Sequence, residues 1–282
     1  MGAYEKIMNK KGLDEFQRLV TKWKTLSEGI EARSTGLPII LPDIFLISPS
    51  GTGRMMLLSL LEEFLSERRN LLEFYGDVKY FEFMLNYCRP EEPFTEITRL
   101  MSQVNVAAGF RNEYKGILFI DVDEWLGHFN EKHFISFLEY LSDNSDDWMV
   151  VLSVLGGKKQ QARDMETVLS AFLRIETITV EEPTTPELLY YFEHLLERYG
   201  FSLSEDGREL VVKTVEKLKK NEYFDGYKTT KRFCQDVVYT VYASGVPQNT
   251  VLDSAALERF APDGAYANRT APKLTDLKKI GF

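Results

Sequence analysis

The chain has 282 residues, a formal net charge of −9 and 44% hydrophobic residues, values typical of a soluble globular protein with two packed units. The acidic balance and the lack of a basic stripe argue against a nucleic-acid ligand, because binding to the phosphate backbone depends on clustered Lys and Arg. No apolar run is long enough to span a bilayer, so no membrane partner is expected. Two distant cysteines, Cys88 and Cys234, form neither a disulfide framework nor a metal-ligand pattern, which favours a reducing, cytoplasmic location.

Apolar periodicity predicts alternating helices and strands over the first two thirds of the chain. Helices are predicted over 13–32, 55–67, 94–110, 132–143 and 165–173. Buried strands are predicted over 44–47, 79–84, 117–120, 147–157 and 174–180. This alternation predicts an α/β fold, a parallel sheet covered by helices on both faces.

After Pro183 the pattern changes to helices alone, predicted over 185–200, 204–221 and 227–244. The segment from Gly245 onwards is rich in Pro, Asn and Ala, which indicates a loosely ordered tail. The expected organisation is an N-terminal helical segment (1–36), an α/β domain (37–183), an all-helical segment (184–245) and a C-terminal tail (246–282).

The segment "SPSGTGRM" lies between a predicted strand and a predicted helix, and it resembles the phosphate-binding pattern G-x-x-x-x-G-K-[ST]. In such a loop the backbone N–H groups hold phosphate oxygens, so the candidate nucleotide-binding residues are Pro49, Ser50, Gly51, Thr52, Gly53, Arg54 and Met55. Arg54 stands at the lysine position, Met55 at the hydroxyl position and Ser48 at the first glycine. An ordinary strand–turn–helix corner, or a loop that has lost its nucleotide, would give the same pattern.

About seventy residues later comes "GILFIDV", an apolar strand that ends in Asp121. Together with the loop and the lid segment "TPELLYYFEHLLERYGFSLSEDGRELVVKTVEKLKKNEYFDGYKTTKRF", this strand resembles the CbxX/CfxQ type of AAA+ ATPases. The resemblance spans about 44–244. It implies a P-loop NTPase sheet with an all-helical lid, ATP or ADP as ligand, Mg²⁺ as cofactor, and assembly into homo- or hetero-oligomeric rings that remodel protein partners.

The departures from that family fall where its chemistry resides. The resemblance implies that Asp121 lies near Mg²⁺, but Val122 replaces the glutamate that polarises the attacking water. On the next strand, Ser153 is the one polar residue available as a phosphate sensor. A shift by two residues would make Asp123 and Glu124 the catalytic acids, whereas a solvated acidic turn is the plainer interpretation.

In the lid motif, alignment of Gly226 with the family glycine puts Thr229 at the sensor arginine and Arg232 at the second arginine. Arg232 is therefore a candidate phosphate contact, or else a lid salt-bridge residue, and Arg174 is an ambiguous arginine finger. These substitutions favour a module that binds ATP or ADP with little or no hydrolysis. Two alternatives stay open at this point: a nucleotide-free scaffold for protein interaction, and a true ATPase with a rewired site.

Overall fold

The first unit of the molecule is built on a sheet of five parallel strands. The structure is a computed structural model that describes residues 2–33, 41–71, 79–89, 91, 99, 102, 116–143, 148–157, 159–221, 223–247 and 250–268. The strands are β1 (Asp43–Ile47), β2 (Lys79–Met84), β3 (Gly116–Asp121), β4 (Trp148–Val154) and β5 (Ile175–Thr179). Their spatial order is β2-β3-β4-β1-β5, so β1 lies inside the sheet between β4 and β5.

Helices cover both faces of this sheet. They are α1 (Ala3–Met8), α2 (Asp14–Arg33), α3 (Arg54–Glu67), α4 (Lys132–Asp143) and α5 (Lys159–Phe172). Alternate residues of each strand point to opposite faces. Ile44 and Leu46 of β1 therefore share a core with α1, α2 and α3, whereas Phe45 and Ile47 share a core with α4 and α5.

The two N-terminal helices are part of this packing. Phe16 and Trp23 of α2 are each 1% exposed and belong to the same apolar core as α3. At the outer edge of the sheet, the Glu15 carboxylate accepts a hydrogen bond from the Thr179 backbone N–H at 2.6 Å. This contact satisfies a donor of an edge strand that would otherwise be open to another chain.

One acidic side chain is buried at the start of β1. Asp43 is 7% exposed, and its Oδ1 accepts a hydrogen bond from the Val150 backbone N–H at 2.7 Å. Burial raises the pKa of Asp43 from 3.8 to about 7, although the hydrogen bond from Val150 works in the opposite direction. Removal from water disfavours the charged form more than one N–H donor favours it.

The second unit consists of Ser50–Thr52 and Glu182–Phe282, and its helices are α6 (Thr185–Arg198), α7 (Glu205–Lys219) and α8 (Gly226–Ala243). Helix α6 begins with a capping box, in which the Thr184 side chain and the Glu187 side chain each satisfy the other's backbone N–H. Its core contains Phe192 of α6 and Phe233 of α8, with ring centroids 4.9 Å apart.

The composition of the last segment predicts a loosely ordered tail, and this is wrong for residues 250–268. Val251–Leu252 (β7) pairs in parallel with Ser202–Leu203 (β6), and a 3₁₀ turn follows at Glu258–Phe260. Leu252, Leu257 and Phe260 are nearly fully buried in the second unit's core. Apolar residues spaced among Pro, Gly and Ala are too few to give a periodic pattern, yet these three fill the core.

The predicted α/β fold with a parallel sheet, helices on both faces and a following helical unit is confirmed. The predicted helix over 94–110 lies outside the described residues, apart from Arg99 and Ser102. None of the helices within the described ranges is long and apolar enough to cross a membrane.

Candidate functional site

The loop after β1 is a strand-to-helix turn with two glycines in the left-handed region. Gly51 has φ 72° and Gly53 has φ 91°, conformations that glycine adopts without steric cost, and α3 begins directly afterwards at Arg54. No acidic residue lies in the first turn of this 14-residue helix. Its positive end is therefore not neutralised by its own side chains, which favours an anion there.

The other predicted loop residues have different surroundings. Ser48 is fully buried, and its Oγ has no hydrogen-bond partner among the described residues. Thr52 is buried, whereas Met55 is 42% exposed. Ser50–Thr52 belongs with the second unit, in which the Tyr227 backbone N–H donates to the Gly51 carbonyl oxygen at 3.1 Å.

The structure brings together three of the predicted residues, Arg54, Asp121 and Ser153. Nη1 of Arg54 donates to Oδ2 of Asp121 at 2.9 Å and to Oγ of Ser153 at 2.8 Å. The strand register explains the meeting, because Asp121 at the end of β3 lies opposite Ser153 on β4. The Arg54 and Asp121 side chains are 24% and 18% exposed, so the ion pair is partly shielded from water.

Both oxygens of the Asp121 carboxylate are hydrogen-bonded. While Oδ2 accepts from Arg54, Oδ1 accepts from the Asp123 backbone N–H at 3.0 Å. A guanidinium therefore contacts the carboxylate on which the family resemblance expects a magnesium ion.

The two alternative catalytic acids are bound to backbone groups. Oδ1 of Asp123 accepts from the Leu155 backbone N–H at 2.9 Å, which ties the turn after β3 to the end of β4. Oε2 of Glu124 accepts from the Tyr87 backbone N–H at 2.9 Å. Asp123 and Glu124 lie in a 3₁₀ turn, Asp123–Trp125, and Val122 before them is fully buried.

The predicted lid residues lie in the second unit, on α8. Oγ1 of Thr229 accepts from the Asp225 backbone N–H at 2.8 Å, so this side chain caps the start of its own helix. Arg232 is exposed on α8. Arg174 is exposed at the residue before β5.

Sequence reasoning missed a polar cluster beyond the ends of β2 and β3. Tyr87 donates its hydroxyl to the Glu131 carboxylate, and Nδ1 of His128 lies 2.7 Å from Oε1 of the same carboxylate. Sγ of Cys88 lies 3.5 Å from Nδ1 of His133. The available signal was that polar and aromatic residues follow two neighbouring predicted strands, whose carboxyl ends share one edge of a parallel sheet.

The chemistry of this arrangement suits an anion better than a cation. The loop offers glycine backbone, a helix N-terminus, a buried hydroxyl and a guanidinium, all of which can donate hydrogen bonds to phosphate oxygens. The Asp121 carboxylate is already paired with Arg54, and position 55 supplies no side-chain oxygen. Within the described residues, no group of three or more His, Cys, Asp or Glu side chains is arranged to hold a metal ion.

No protein-family profile matches the sequence, and no curated protein matches it. Among solved structures, the fold is similar to a point mutant of RuvB from Thermotoga maritima, with a TM-score of 0.52 and 12% identity over 84% of this chain and 67% of that chain. It is also similar to C. elegans PCH-2, with a TM-score of 0.46 and 13% identity over 86% of this chain and 67% of that chain. The first similarity and the strand order support one conclusion: the chain has the α/β fold of that structure, a five-stranded parallel sheet flanked by helices, consistent with a P-loop fold.

Proposed function

We propose that this chain is an AAA+-type module that binds ATP or ADP weakly, does not hydrolyse it, and acts with protein partners. The observation that carries the proposal is the contact of Arg54 with Asp121 and Ser153. A hydrolytic P-loop site uses a lysine on the β- and γ-phosphates, a metal held by a hydroxyl and an acid, and a residue that positions water. In this chain Arg54, at the lysine position, is ion-paired with Asp121, the acid that would help to hold the metal. Val122 stands at the position of the residue that would position water.

Nucleotide binding is the part of the function that these residues still fit. Most of the phosphate contacts in such loops come from backbone N–H groups and the helix N-terminus rather than from the lysine. The buried Ser48 hydroxyl, which has no partner among the described residues, and the left-handed Gly53 support phosphate binding at this loop. The residues that would hold the phosphates are the loop backbone over 49–53 and the Arg54 guanidinium.

Loss of hydrolysis follows from three substitutions acting together. Met55 cannot ligate a metal, the buried Val122 cannot orient water, and Arg54 is already paired with the acid. Each such group typically contributes about 10²-fold or more to the rate. The rewired-ATPase alternative is disfavoured, because the Asp123 and Glu124 carboxylates accept hydrogen bonds from backbone groups of their own unit.

The nucleotide-free scaffold is the second candidate, and the same ion pair favours it. Because Arg54 is already paired with Asp121, its contact with a phosphate would contribute less binding free energy than that of an unpaired cation. The ring assembly, the protein partners, the CbxX/CfxQ subfamily and the cytoplasmic location are also part of the proposal. They rest on the lid sequence, on the substituted loop and on two cysteines that are not joined in a disulfide.

The test is calorimetric titration of ATP and ADP into nucleotide-free protein, followed by a phosphate-release assay with Mg²⁺. We expect saturable, weak binding that Arg54→Gln reduces and Arg163→Gln, an exposed control on α5, does not. We expect no release above background. Steady turnover that Glu124→Gln abolishes would establish the rewired ATPase instead, and no binding up to millimolar nucleotide would establish the scaffold.

Sedimentation of the same samples tests assembly separately. A concentration-dependent shift to a larger species, with or without ADP, supports a ring or mixed ring. A monomer at every protein concentration contradicts self-assembly. Assembly with a different subunit would then be tested by co-sedimentation with an active AAA+ ATPase.

A further inference from the structure

We infer that Arg54 takes the place of the divalent cation, so that the phosphate site of this protein excludes Mg²⁺ and works without it. The inference rests on the proposed function for the location of the site. Its basis is the donor set around Asp121, which differs from the set that Mg²⁺ requires.

Mg²⁺ needs oxygen ligands in near-ideal octahedral geometry, and in P-loop sites these include the loop hydroxyl and the strand-end aspartate. The first of these is absent, because residue 55 is a methionine whose thioether is a soft ligand that suits Mg²⁺ poorly. Its side chain is also substantially exposed, at 42%.

The second ligand is occupied on both oxygens. Oδ2 of Asp121 accepts from Arg54 and Oδ1 accepts from the Asp123 backbone N–H. A metal would have to displace a charge-assisted hydrogen bond of 2.9 Å that lies in a partly buried setting. The single negative charge of Asp121 is balanced by Arg54, so this carboxylate attracts a dication less than an unpaired one would.

The remaining acids near the ends of β3 and β4 do not supply a substitute. Asp123 and Glu124 each direct one carboxylate oxygen to a backbone N–H, of Leu155 and Tyr87 respectively. A cation drawn to them would compete with bonds that hold two strand ends and the segment after β2 in place.

The guanidinium can do on the phosphate side what the metal would otherwise do. A guanidinium carries five N–H donors, and the contacts to Asp121 and Ser153 both use Nη1. Within the described residues no hydrogen bond from Nε or Nη2 of Arg54 is present. Three donors in a planar fork therefore remain, a geometry that pairs with two oxygens of a phosphate.

Arg54 would thus bridge a carboxylate and a phosphate as a divalent cation does, with one nitrogen on the acid and the other edge on the anion. A lysine has three donors and could touch both groups, but it lacks the planar fork that pairs with two phosphate oxygens while one nitrogen stays on the acid. This role explains why arginine stands at position 54 and methionine at position 55. The guanidinium is a cation covalently attached to the chain, and it replaces a metal ion that would exchange with solvent.

The experiment compares the ADP dissociation constant in excess EDTA with that in millimolar MgCl₂. For the wild type we expect ADP binding in MgCl₂ to be no tighter than in EDTA, and weaker to the extent that Mg²⁺ sequesters ADP in solution, because no metal contributes to binding. For Arg54→Lys/Met55→Thr, which recreates the pattern G-K-[ST], we expect Mg²⁺ to tighten ADP binding about tenfold. Arg163→Lys, with wild-type behaviour, is the control, and circular dichroism verifies that each variant is folded.

The outcomes separate this inference from the proposed function. Wild-type ADP binding that Mg²⁺ strengthens fivefold or more, roughly 1 kcal/mol, would overturn the inference while leaving nucleotide binding in place. If the wild type binds no ADP in either buffer, the proposed nucleotide binding fails, and the double variant decides the inference alone. A gain of Mg²⁺-dependent binding by that variant supports it, and no gain shows that Arg54 is not what excludes the metal.

Discussion

Asp43 makes the stability of the sheet depend on pH, in a direction opposite to that of most carboxylates. The pKa of this buried side chain rises from 3.8 to about 7. Below the unfolded value the group is protonated in both states and costs nothing. As pH rises through 3.8 the unfolded chain releases its proton and the folded chain does not, so stability is lost until about pH 7 and stays constant above it.

The size of the effect follows from the two pKa values. Each pKa unit corresponds to about 1.4 kcal/mol, so a rise from 3.8 to about 7 gives a total loss of about 4 kcal/mol. Between pH 5 and pH 8, about 2–3 kcal/mol of this loss is expected. Asp43→Asn keeps an oxygen that accepts from the Val150 N–H but cannot ionise. The variant should match the wild type at low pH and exceed its stability at pH 8.

Tryptophan fluorescence during urea unfolding reports the unfolding free energy of the first unit, which contains Asp43, because Trp23, Trp125 and Trp148 all lie in that unit. The difference in unfolding free energy between Asp43→Asn and the wild type is expected to grow by about 2–3 kcal/mol from pH 5 to pH 8. Asp164→Asn, at an exposed position on α5, is the control and should show no such growth. Parallel stability curves for Asp43→Asn and the wild type would refute the reasoning.

Three further predictions concern the second unit. Phe260→Ala removes a side chain that is 2% exposed and should destabilise this unit by about 3–5 kcal/mol, measured by thermal or urea unfolding followed by circular dichroism. The control is Tyr239→Ala, at a residue that is 76% exposed, which should change the unfolding free energy by less than about 0.5 kcal/mol. Thr184→Ala breaks the capping box of α6 and should cost about 1 kcal/mol by the same measurement, and an unchanged midpoint would contradict that role. Burial raises the pKa of Cys234 to about 12, so iodoacetamide should label it only after unfolding; labelling of folded protein, read by peptide mass spectrometry, would show that the core opens.

The sheet and the loop could be predicted from the sequence because local rules determine them. Two glycines between an apolar strand and a helix favour a strand-to-helix turn, and the apolar run of β3 ends at Asp121, which puts this side chain at the carboxyl end of the sheet. The meeting of Arg54 with Asp121 and Ser153 depends on the register between strands far apart in the chain. No local pattern encodes that register, so the sequence indicated the three residues but not their contact.

Other parts could not be predicted for the same physical reason. From the sequence, Glu124 is an acidic residue after a strand with no evident partner. In the structure its carboxylate accepts a hydrogen bond from the backbone N–H of Tyr87, 37 residues earlier in the chain. Residues 250–268 lack periodicity, and Leu252 and Phe260 become core because they pack against apolar residues of the second unit's helices. Tertiary partners, not local propensity, decide the structure at these positions.

The central place of β1 has a consequence for how this molecule is made. Its Asp43 meets Val150, 107 residues further along the chain, and its other neighbour, β5, is made later still. During synthesis the strand that carries the glycine loop leaves the ribosome long before either of its partners exists. Pairings of such high contact order form slowly and leave apolar strand residues uncovered in the meantime. The nascent first third of this chain is therefore the stretch that most needs protection from aggregation, until β4 is complete.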